Sequence, residues 1–285
     1  MLRQTRFELF KMSRRLRSYM GFVAFLLINF LIMLGAKYGG MGEDVARDVG
    51  GQGFQVVGSP VNAEFMSWLV VGSPMSGAIL GMFMPFFVCL VFGEILSGEK
   101  AEGTLRTALA RPISRSGFFT AKFASSLIHA LTLVFFLGIS AYVIGLIVFG
   151  RGGLLTVGSF EKLTIAWYSE TEGLTRLALA YGLTFVGVAT VGTIALFIST
   201  WLTSSLATVG GTIMLMFAMM IVGEIPYFSP AKEYLFTTHL FVGQKAFLDP
   251  IPWGEIARSL AWLGAYIVVL FGVSLAIFRR KDVLA

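Results

Sequence analysis

Residues 123–149 read FASSLIHALTLVFFLGISAYVIGLIVF, and this stretch decides the fold class. It contains no aspartate, glutamate, lysine or arginine along its whole length. A helix needs about 20 predominantly apolar residues to cross the hydrocarbon core of a bilayer. The stretch is long enough, and it therefore predicts a transmembrane helix.

Five further stretches have the same apolar character, although the first and the fifth of the six are short. Composition agrees, because 56% of the 285 residues are hydrophobic, only 13% are charged and the mean hydropathy is +0.80. Soluble proteins carry about 25% charged residues. We expect an all-α integral membrane protein with a six-span domain over residues 19–285, whose other apolar stretches are residues 20–36, 68–92, 177–198, 206–222 and 260–278.

Positive charge is distributed unevenly between the two ends of the predicted helices. The N-terminal segment, the connection between the second and third stretches and the C-terminal tail together hold 14 of the 22 lysines and arginines. They hold 5 of the 16 acidic residues, so this side carries a net charge of +9 and the other side −3. Cytoplasmic loops carry the excess of lysine and arginine in membrane proteins. We therefore expect a multi-pass protein of the plasma or inner membrane with both termini in the cytoplasm.

Residues 1–18 combine basic side chains with an apolar stripe formed by Leu9, Met12 and Leu16. This pattern is typical of a helix that lies in the membrane interface, with its apolar face in the acyl boundary and its cations among the headgroups. A basic tail that only fixes the topology is the alternative. Cleavage of a signal peptide after Ala36 is disfavoured, because the apolar run and the basic segment before it are both long for a signal peptide.

Three longer connections fall on the other side, at residues 37–66, 150–176 and 224–256. The first is rich in glycine and acidic residues and has no strong periodicity. The third contains an apolar run at 234–242 that is too short to span a bilayer. We expect this run to form a re-entrant element before the last span, bracketed by Pro226, Pro230, Pro250 and Pro252.

The motifs of common catalytic sites are missing from the sequence, which has no HExxH, no Gly-x-Ser-x-Gly and no Walker lysine loop. Cys89 is the single cysteine, and His129 and His239 are far apart in the sequence. Asn29 and His129 are the strongly polar groups inside the predicted spans, which are otherwise poor in groups that could couple an ion gradient to work. We expect no enzyme activity and no bound metal, and we expect energy to come from another polypeptide.

The connection between the second and third spans is the most informative segment. Residues 93–115 read GEILSGEKAEGTLRTALARPISR. Thr104 can cap the start of a short helix, Leu105 and Leu109 would share one face of it, and Pro112 would end it. Such a helix, within a cytoplasmic segment over 94–117, suits docking into a groove of a cytoplasmic partner. An ordinary solvated loop is the alternative.

This connection resembles that of the membrane subunit of ATP-binding-cassette (ABC) exporters, the permeases with a type V-like transmembrane domain that serve antibiotics, polysaccharides and lipids. The resemblance lies in order and topology together with these runs: Glu99-x-x-x-Gly103-Thr104-Leu105, then Arg111-Pro112-Ile113-Ser114-Arg115, then Lys122, and the tail Phe278-Arg279-Arg280-Lys281-Asp282-Val283. It implies an N-terminal interfacial helix, six spans, a coupling helix after the second span and re-entrant outer elements before the sixth.

The resemblance also implies a function. The chain would be a permease that works as a homodimer or heterodimer in membrane lipid, docked on a separate cytoplasmic ABC ATPase that binds ATP and Mg, without nucleic acid. It would export a hydrophobic or amphipathic substrate. Residues 199–205 would form a second, smaller contact with the ATPase. The implied ATPase-coupling residues are Glu94, Glu99, Glu102, Gly103, Thr104, Leu105, Arg106, Leu109, Arg111 and Arg115.

A translocation path is the least specific of these expectations, because methionine and phenylalanine stripes are usually plain packing. The candidate lining residues are Met82, Phe83, Phe86, Met214, Met216 and Phe217. The alternative function is a non-transporting scaffold or mechanotransmitter that uses ATPase-driven motion to act on an outer partner. An importer permease is disfavoured, since the connection lacks the Glu-Ala-Ala…Gly pattern of importer subunits.

Overall fold

The computed structural model describes residues 2–40, 43–45, 47, 60–73, 76, 79–103, 114–157 and 165–280. Within them, six helices are long and apolar enough to cross a membrane. The prediction of an α-helical, multi-pass membrane protein is thereby confirmed. The predicted coupling segment is described only at its two ends, because residues 104–113 fall outside the described ranges.

Helices predominate among the described residues of the first half of the chain. Its helices are α1 (Leu2–Ser13), α2 (Leu16–Tyr38), α3 (Ala63–Val71), α4 (Met84–Ala101, preceded by a π-helical turn at Ile79–Phe83) and α5 (Arg115–Phe149). The second half begins with two strands, β1 (Leu154–Val157) and β2 (Ile165–Tyr168). It continues with α6 (Glu170–Trp201), α7 (Ser205–Glu224), a 3-10 helix (Pro226–Tyr234), α8 (Phe236–His239), a second 3-10 helix (Val242–Phe247) and α9 (Trp253–Arg280).

Side-chain caps explain where four of these helices begin. In each case a side-chain oxygen just before the helix accepts a hydrogen bond from the backbone amide three residues later, which satisfies a donor that the helix leaves without an internal partner. The helices that start this way are α3, α5, α6 and α7, and the pairs are Asn62 with Phe65, Ser114 with Gly117, Ser169 with Glu172 and Ser204 with Ala207.

The second span differs from the prediction of one helix over residues 68–92. Trp68 lies in α3, which ends at Val71 with Gly72 as its C-cap, and the spanning helix begins only at Ile79. Residues 72–74 read Gly-Ser-Pro, and proline disfavours helical geometry in the residue before it. Hydropathy stays high across this break, which is why the apolar stretch alone did not reveal it.

Helix α6 lies at the centre of the bundle. Within its most apolar window 72% of the residues are buried, compared with 11% in α9. It packs against α4, α5 and α9. Small residues permit these close contacts, as is common between helices in membranes. At Gly192 in α6, for example, a Cβ atom would lie 2.8 Å from the ring of Phe92.

We call the end of the bundle that carries α1 the basal end. The ends of α4, α6 and α9 and the starts of α5 and α7 lie there together. Lys100 near the end of α4 donates to the carbonyl oxygens of Ser199 and Thr200 in α6. At the start of α5, Arg115 donates to the carbonyl oxygen of Arg279 at a distance of 3.3 Å.

The opposite, distal end contains α3, the strands and the segments between α7 and α9. Strands β1 and β2 form an antiparallel pair, with Leu154 opposite Tyr168. This hairpin lies in the connection over 150–176, which the sequence analysis gave as an outer loop without assigning elements to it. Helix α3 is buried throughout, and Glu64 in it accepts hydrogen bonds from the Tyr142 hydroxyl (3.3 Å) and the Gly152 amide (3.2 Å).

The run at 234–242 folds back onto α6 as short helical turns. Phe236, Leu240 and Val242 are buried. Glycine permits the close approach, because a Cβ atom on Gly243 would lie 2.3 Å from the Thr184 Oγ1 atom. The apolar run is therefore part of the packed distal end, and it does not add a seventh span among the described residues.

Candidate functional site

The structure describes five of the predicted coupling residues. Glu94 and Glu99 lie in the last turns of α4, Glu102 and Gly103 follow it, and Arg115 begins α5. Gly103 has a φ of 68°, a left-handed conformation that favours glycine. The remaining predicted residues lie in the segment that the structure does not describe, namely Thr104, Leu105, Arg106, Leu109 and Arg111.

Lys122 is the centre of a buried charge cluster at the basal end. Its side chain is 1% exposed, and its Nζ atom lies 2.8 Å from Glu99 Oε1 and 3.1 Å from Glu8 Oε2. Lys11 forms a second ion pair with Glu99. A buried charge is strongly unfavourable unless it is paired and hydrogen-bonded. Because Glu8 and Lys11 belong to α1, these pairs join α1 to the end of α4 and to the first turns of α5.

A second set of ion pairs ties the junction between α1 and α2 to the same place. The Arg15 and Arg17 guanidinium groups lie 3.0 Å and 3.1 Å from Glu94 Oε1, and Arg15 also lies 3.8 Å from Glu102. Arg15 and Glu94 are partly buried, whereas Arg17 and Glu102 are more than half exposed, and the pairs that these two form contribute little singly. They nevertheless set the position of the α1–α2 junction beside the start of the predicted coupling segment. We call Glu8, Lys11, Glu94, Glu99 and Lys122, with Arg15 and Arg17, the basal joint.

The basal joint extends to α6 through Lys100. Its Nζ atom donates to the carbonyl oxygens of Ser199 (2.7 Å) and Thr200 (2.9 Å) in the last turn of α6. A cation at the carboxyl end of a helix is favoured by the helix dipole. The predicted second contact at 199–205 therefore adjoins the coupling segment, and Trp201 within it is exposed.

The basal joint has no room for a ligand. The cavity between α1 and α4 has a volume of about 20 Å³, which is enough for about one water molecule. Nor do the described residues contain a group of three or more His, Cys, Asp or Glu side chains that could hold a metal ion. The arrangement connects helices mechanically, and we therefore treat it as a joint rather than as a binding pocket.

Comparison with known proteins places the chain in a family. Residues 50–284 match the family described as "Protein of unknown function (DUF2705)", which is more than half of the chain. The chain belongs to the DUF2705 family. It is also similar to a protein of Bacillus subtilis (strain 168), described as "Uncharacterized protein YhcI", with 25% identity over 229 residues that cover 79% of this chain and 71% of that protein.

The part of the chain that matches DUF2705 includes only one side of the basal joint. Glu94, Glu99 and Lys122 lie within the matched residues, whereas Glu8 and Lys11 precede them. The sequence analysis singled out Glu99 and Lys122 but did not pair them with α1. Glu8, an acidic residue among the basic ones of α1, was the available signal, yet it could not identify partners that lie 88 and 114 positions apart.

The structure separates the candidate path residues of this DUF2705 chain into two groups. Met82, Phe83 and Phe86 near the start of the second span, and Met214 and Phe217 in α7, are all exposed on the surface of the single chain. Met216 is 1% exposed and packs in the core. The exposed five are available to lipid or to a second subunit, whereas Met216 has a packing role.

Arg176 is an important residue that the sequence analysis counted only as a topological charge. Its guanidinium group donates hydrogen bonds to the carbonyl oxygens of Ala246 (3.1 Å) and Leu248 (2.9 Å). The same group forms an ion pair with Glu172 (3.0 Å) and lies 4.1 Å from the centre of the Tyr168 ring. Burial raises the pKa of Tyr168, although the Arg176 charge opposes this shift. Arg176 thus holds the segment before α9 against α6.

The two histidines each contact other side chains or the backbone within the fold. The His129 ring packs edge-on against Phe22, with 5.5 Å between ring centres. His239 lies at the distal end, where its ring nitrogens are 3.0 Å from Ser259 Oγ and 2.9 Å from the Glu233 carbonyl oxygen. His129 thus has a packing role, and His239 has a hydrogen-bonding role at the distal end.

Proposed function

We propose that this DUF2705 chain is the membrane subunit of an ABC exporter, which moves a hydrophobic or amphipathic substrate with ATP hydrolysed by a separate ATPase subunit. In this proposal the basal end faces the cytoplasm of a cell or inner membrane, and the chain pairs with a second permease. The motif resemblance at 99–115 supports it, as does the count of six spans. The main support for coupling between the ATPase and the spans is the basal joint, whose ion pairs connect α1, α4 and α5.

The basal joint connects both helices that flank the docking segment to the N-terminal helices. A force on residues 102–114 acts on the end of α4 and the start of α5, which the Lys122 pairs join to α1. Breaking a buried ion pair by removing one partner typically costs about 3–5 kcal/mol. The joint therefore moves as one unit, and Lys100 conveys the motion to α6.

In this proposal helix α1 is an interfacial helix, but its outward face differs from the predicted stripe of Leu9, Met12 and Leu16, because Met12 is 8% exposed and packs in the core. Phe7 and Phe10 are more than half exposed, and the Arg14 guanidinium lies 5.0 Å from the centre of the Phe10 ring. The apolar side chains would enter the acyl boundary and the cations would meet the headgroups. Glu8 is buried on the inward face of α1, and Lys11 reaches the joint from the flank of the helix.

Co-purification with the partner ATPase tests the docking assignment. Glu102 is exposed, and we expect Glu102→Arg to abolish association, because it reverses a charge on the docking surface. Leu105→Asp should do the same by placing a charge on the apolar ridge. Glu43→Arg is the matched control, since Glu43 is an exposed carboxylate outside the basal end. Unchanged association of both docking variants would contradict the proposal.

A mechanotransmitter remains the second candidate function, and the folded distal end favours keeping it. The hairpin and the helical turns between α7 and α9 give that end a defined surface on which an outer partner could act. ATPase activity of the reconstituted complex in lipid discs separates the two functions. Stimulation by a lipophilic compound favours export, whereas stimulation only by an outer protein partner favours mechanotransmission.

A further inference from the structure

Two adjoining cavities lie at the distal end, between α7, α8 and α9. Their volumes are about 360 Å³ and about 320 Å³, and both are lined by Lys232, Thr238 and Lys245. Sites for small ligands in proteins have volumes of about 300–1,000 Å³. The cavities are therefore large enough for a polar headgroup, unlike the cavity in the basal joint.

Three ion pairs line the two cavities, so each cavity has positive and negative side chains in its wall. Lys232 pairs with Glu224 at 3.0 Å, Lys245 with Glu255 at 2.8 Å and Arg258 with Glu233 at 3.0 Å. Together they carry three positive and three negative charges, so the site is neutral but strongly polar. The three carboxylates are between 49% and 79% exposed. Exposed pairs contribute little to stability, and a ligand that carries both charges can replace them at small cost.

The larger cavity also has an apolar wall. Met220, Phe241 and Leu248 line it beside the charged residues. Met220 belongs to α7, a spanning helix whose next residue, Ile221, is 64% exposed. A ligand whose polar group occupies the cavity could therefore continue as apolar chains along the surface of α7. This combination of a neutral charged site and an adjacent apolar path is suited to an amphiphile from the bilayer.

Two other lining residues, Gln244 and His239, are polar and well buried. Gln244 is 5% exposed, and its side-chain nitrogen donates to Ser76 Oγ at 2.9 Å. His239 is fixed between Ser259 and the Glu233 carbonyl. These hydrogen bonds fix Gln244 and His239 in the cavity walls, and they do not involve the charged side chains that line the cavities. The site is therefore preformed rather than made by exposed side chains alone.

We propose that these cavities bind the headgroup of a zwitterionic phospholipid with a primary ammonium group, as in phosphatidylethanolamine. Lys232 and Lys245 would take the phosphate, and Glu224 and Glu255 would accept hydrogen bonds from the ammonium. A quaternary ammonium has no N–H to donate, and an anionic headgroup leaves the carboxylates without a cation. The site therefore favours phosphatidylethanolamine over phosphatidylcholine and phosphatidylglycerol. This inference uses only the distal end and does not rest on an ATPase partner.

Native mass spectrometry of the full chain in detergent tests the proposal with three lipid probes of identical acyl chains. We expect phosphatidylethanolamine to bind about tenfold more tightly than phosphatidylcholine and phosphatidylglycerol. Equal binding of the three would overturn the proposal without any variant. Soluble glycerophosphoethanolamine is a fourth probe, which should bind much more weakly. Binding as tight as that of the lipid would overturn the role of the apolar wall and assign the cavities to a free zwitterion.

Variants locate the lipid on the protein. The double substitution Lys232→Gln and Lys245→Gln should reduce phosphatidylethanolamine binding to the level of phosphatidylcholine. Lys37→Gln is the matched control, because Lys37 is exposed at the distal end of α2 and does not line either cavity. Equal loss in the control, or full binding in the double variant, would assign the lipid to another surface. Size-exclusion chromatography verifies that each variant remains folded.

Discussion

The Nζ atom of Lys122 lies 2.8 Å from Oε1 of Glu99, and both side chains are shielded from water. Glu99 lies near the end of α4 and Lys122 near the start of α5, so their ion pair connects the two helices beside the segment that joins them. Glu8 and Lys11 complete the cluster from α1. The pair therefore links the part of the chain proposed to meet an ATPase with the helices that enter the membrane.

Removing the Lys122 charge should destabilise the protein strongly. In Lys122→Met, the carboxylates of Glu8 and Glu99 lose a partner in a buried site, and we expect a loss of about 3–5 kcal/mol in the free energy of unfolding. Titration of the solubilised protein with sodium dodecyl sulfate measures it. Lys232→Met is the control and should lose less than about 1 kcal/mol, because the Lys232 pair is exposed. Equal losses would contradict the burial of Lys122.

The double variant Lys122→Met and Glu99→Gln should be less damaged than the sum of the two single variants. Each single change removes one charge of the pair and leaves the other with its α1 partner, Lys11 or Glu8, whereas the double change removes both charges of the pair. Contacting charged residues typically show interaction energies of about 0.5–3 kcal/mol in double-mutant cycles. Purely additive losses in the same denaturation measurement would show that the pair does not couple α4 to α5.

Arg176→Lys should loosen the distal end although it keeps the charge. Lysine cannot reproduce the planar guanidinium that reaches both the Ala246 and Leu248 carbonyl oxygens and also stacks on Tyr168. Leaving a buried acceptor unsatisfied costs about 1–3 kcal/mol. Hydrogen exchange should become faster in residues 242–248. Arg151→Lys is the control, because Arg151 is an exposed arginine, and protection that does not change in Arg176→Lys would contradict this role.

The sequence predicts the spans of this protein well because the cost of placing a charge in hydrocarbon is a local property of each stretch. Helix ends are also local where a serine or asparagine caps them, as Ser114 caps α5. The break between α3 and the second span escaped the hydropathy pattern, since Gly72 ends a helix without making the stretch polar. Turn-forming residues inside an apolar stretch were the signal that could have revealed it.

The partners in the candidate site could not be predicted in the same way. Lys122 and Glu8 are 114 positions apart, and their contact depends on how α1 packs across α5. Arg176 has the same difficulty in part, because helical spacing predicts its pair with Glu172, whereas the carbonyl oxygens of Ala246 and Leu248 carry no side-chain pattern. Sequence patterns show that a charged residue needs a partner when it lies beside an apolar span, but they do not identify the partner.

Gly243→Ala should separate the distal segment from α6. A Cβ atom at this position would lie 2.3 Å from Thr184 Oγ1 and 2.7 Å from the Ala180 carbonyl oxygen, and the second of these atoms belongs to the backbone and cannot rotate away. Inserting a methyl group into a packed site typically costs about 1–3 kcal/mol. We expect a lower midpoint of denaturation and faster hydrogen exchange at 242–248. Gly254→Ala is the matched control, since no atom lies within 4 Å of a Cβ built there, and it should leave both measurements unchanged. A Gly243→Ala protein as stable as the control would mean that the turn at Val242–Phe247 does not pack against α6 as closely as the structure places it.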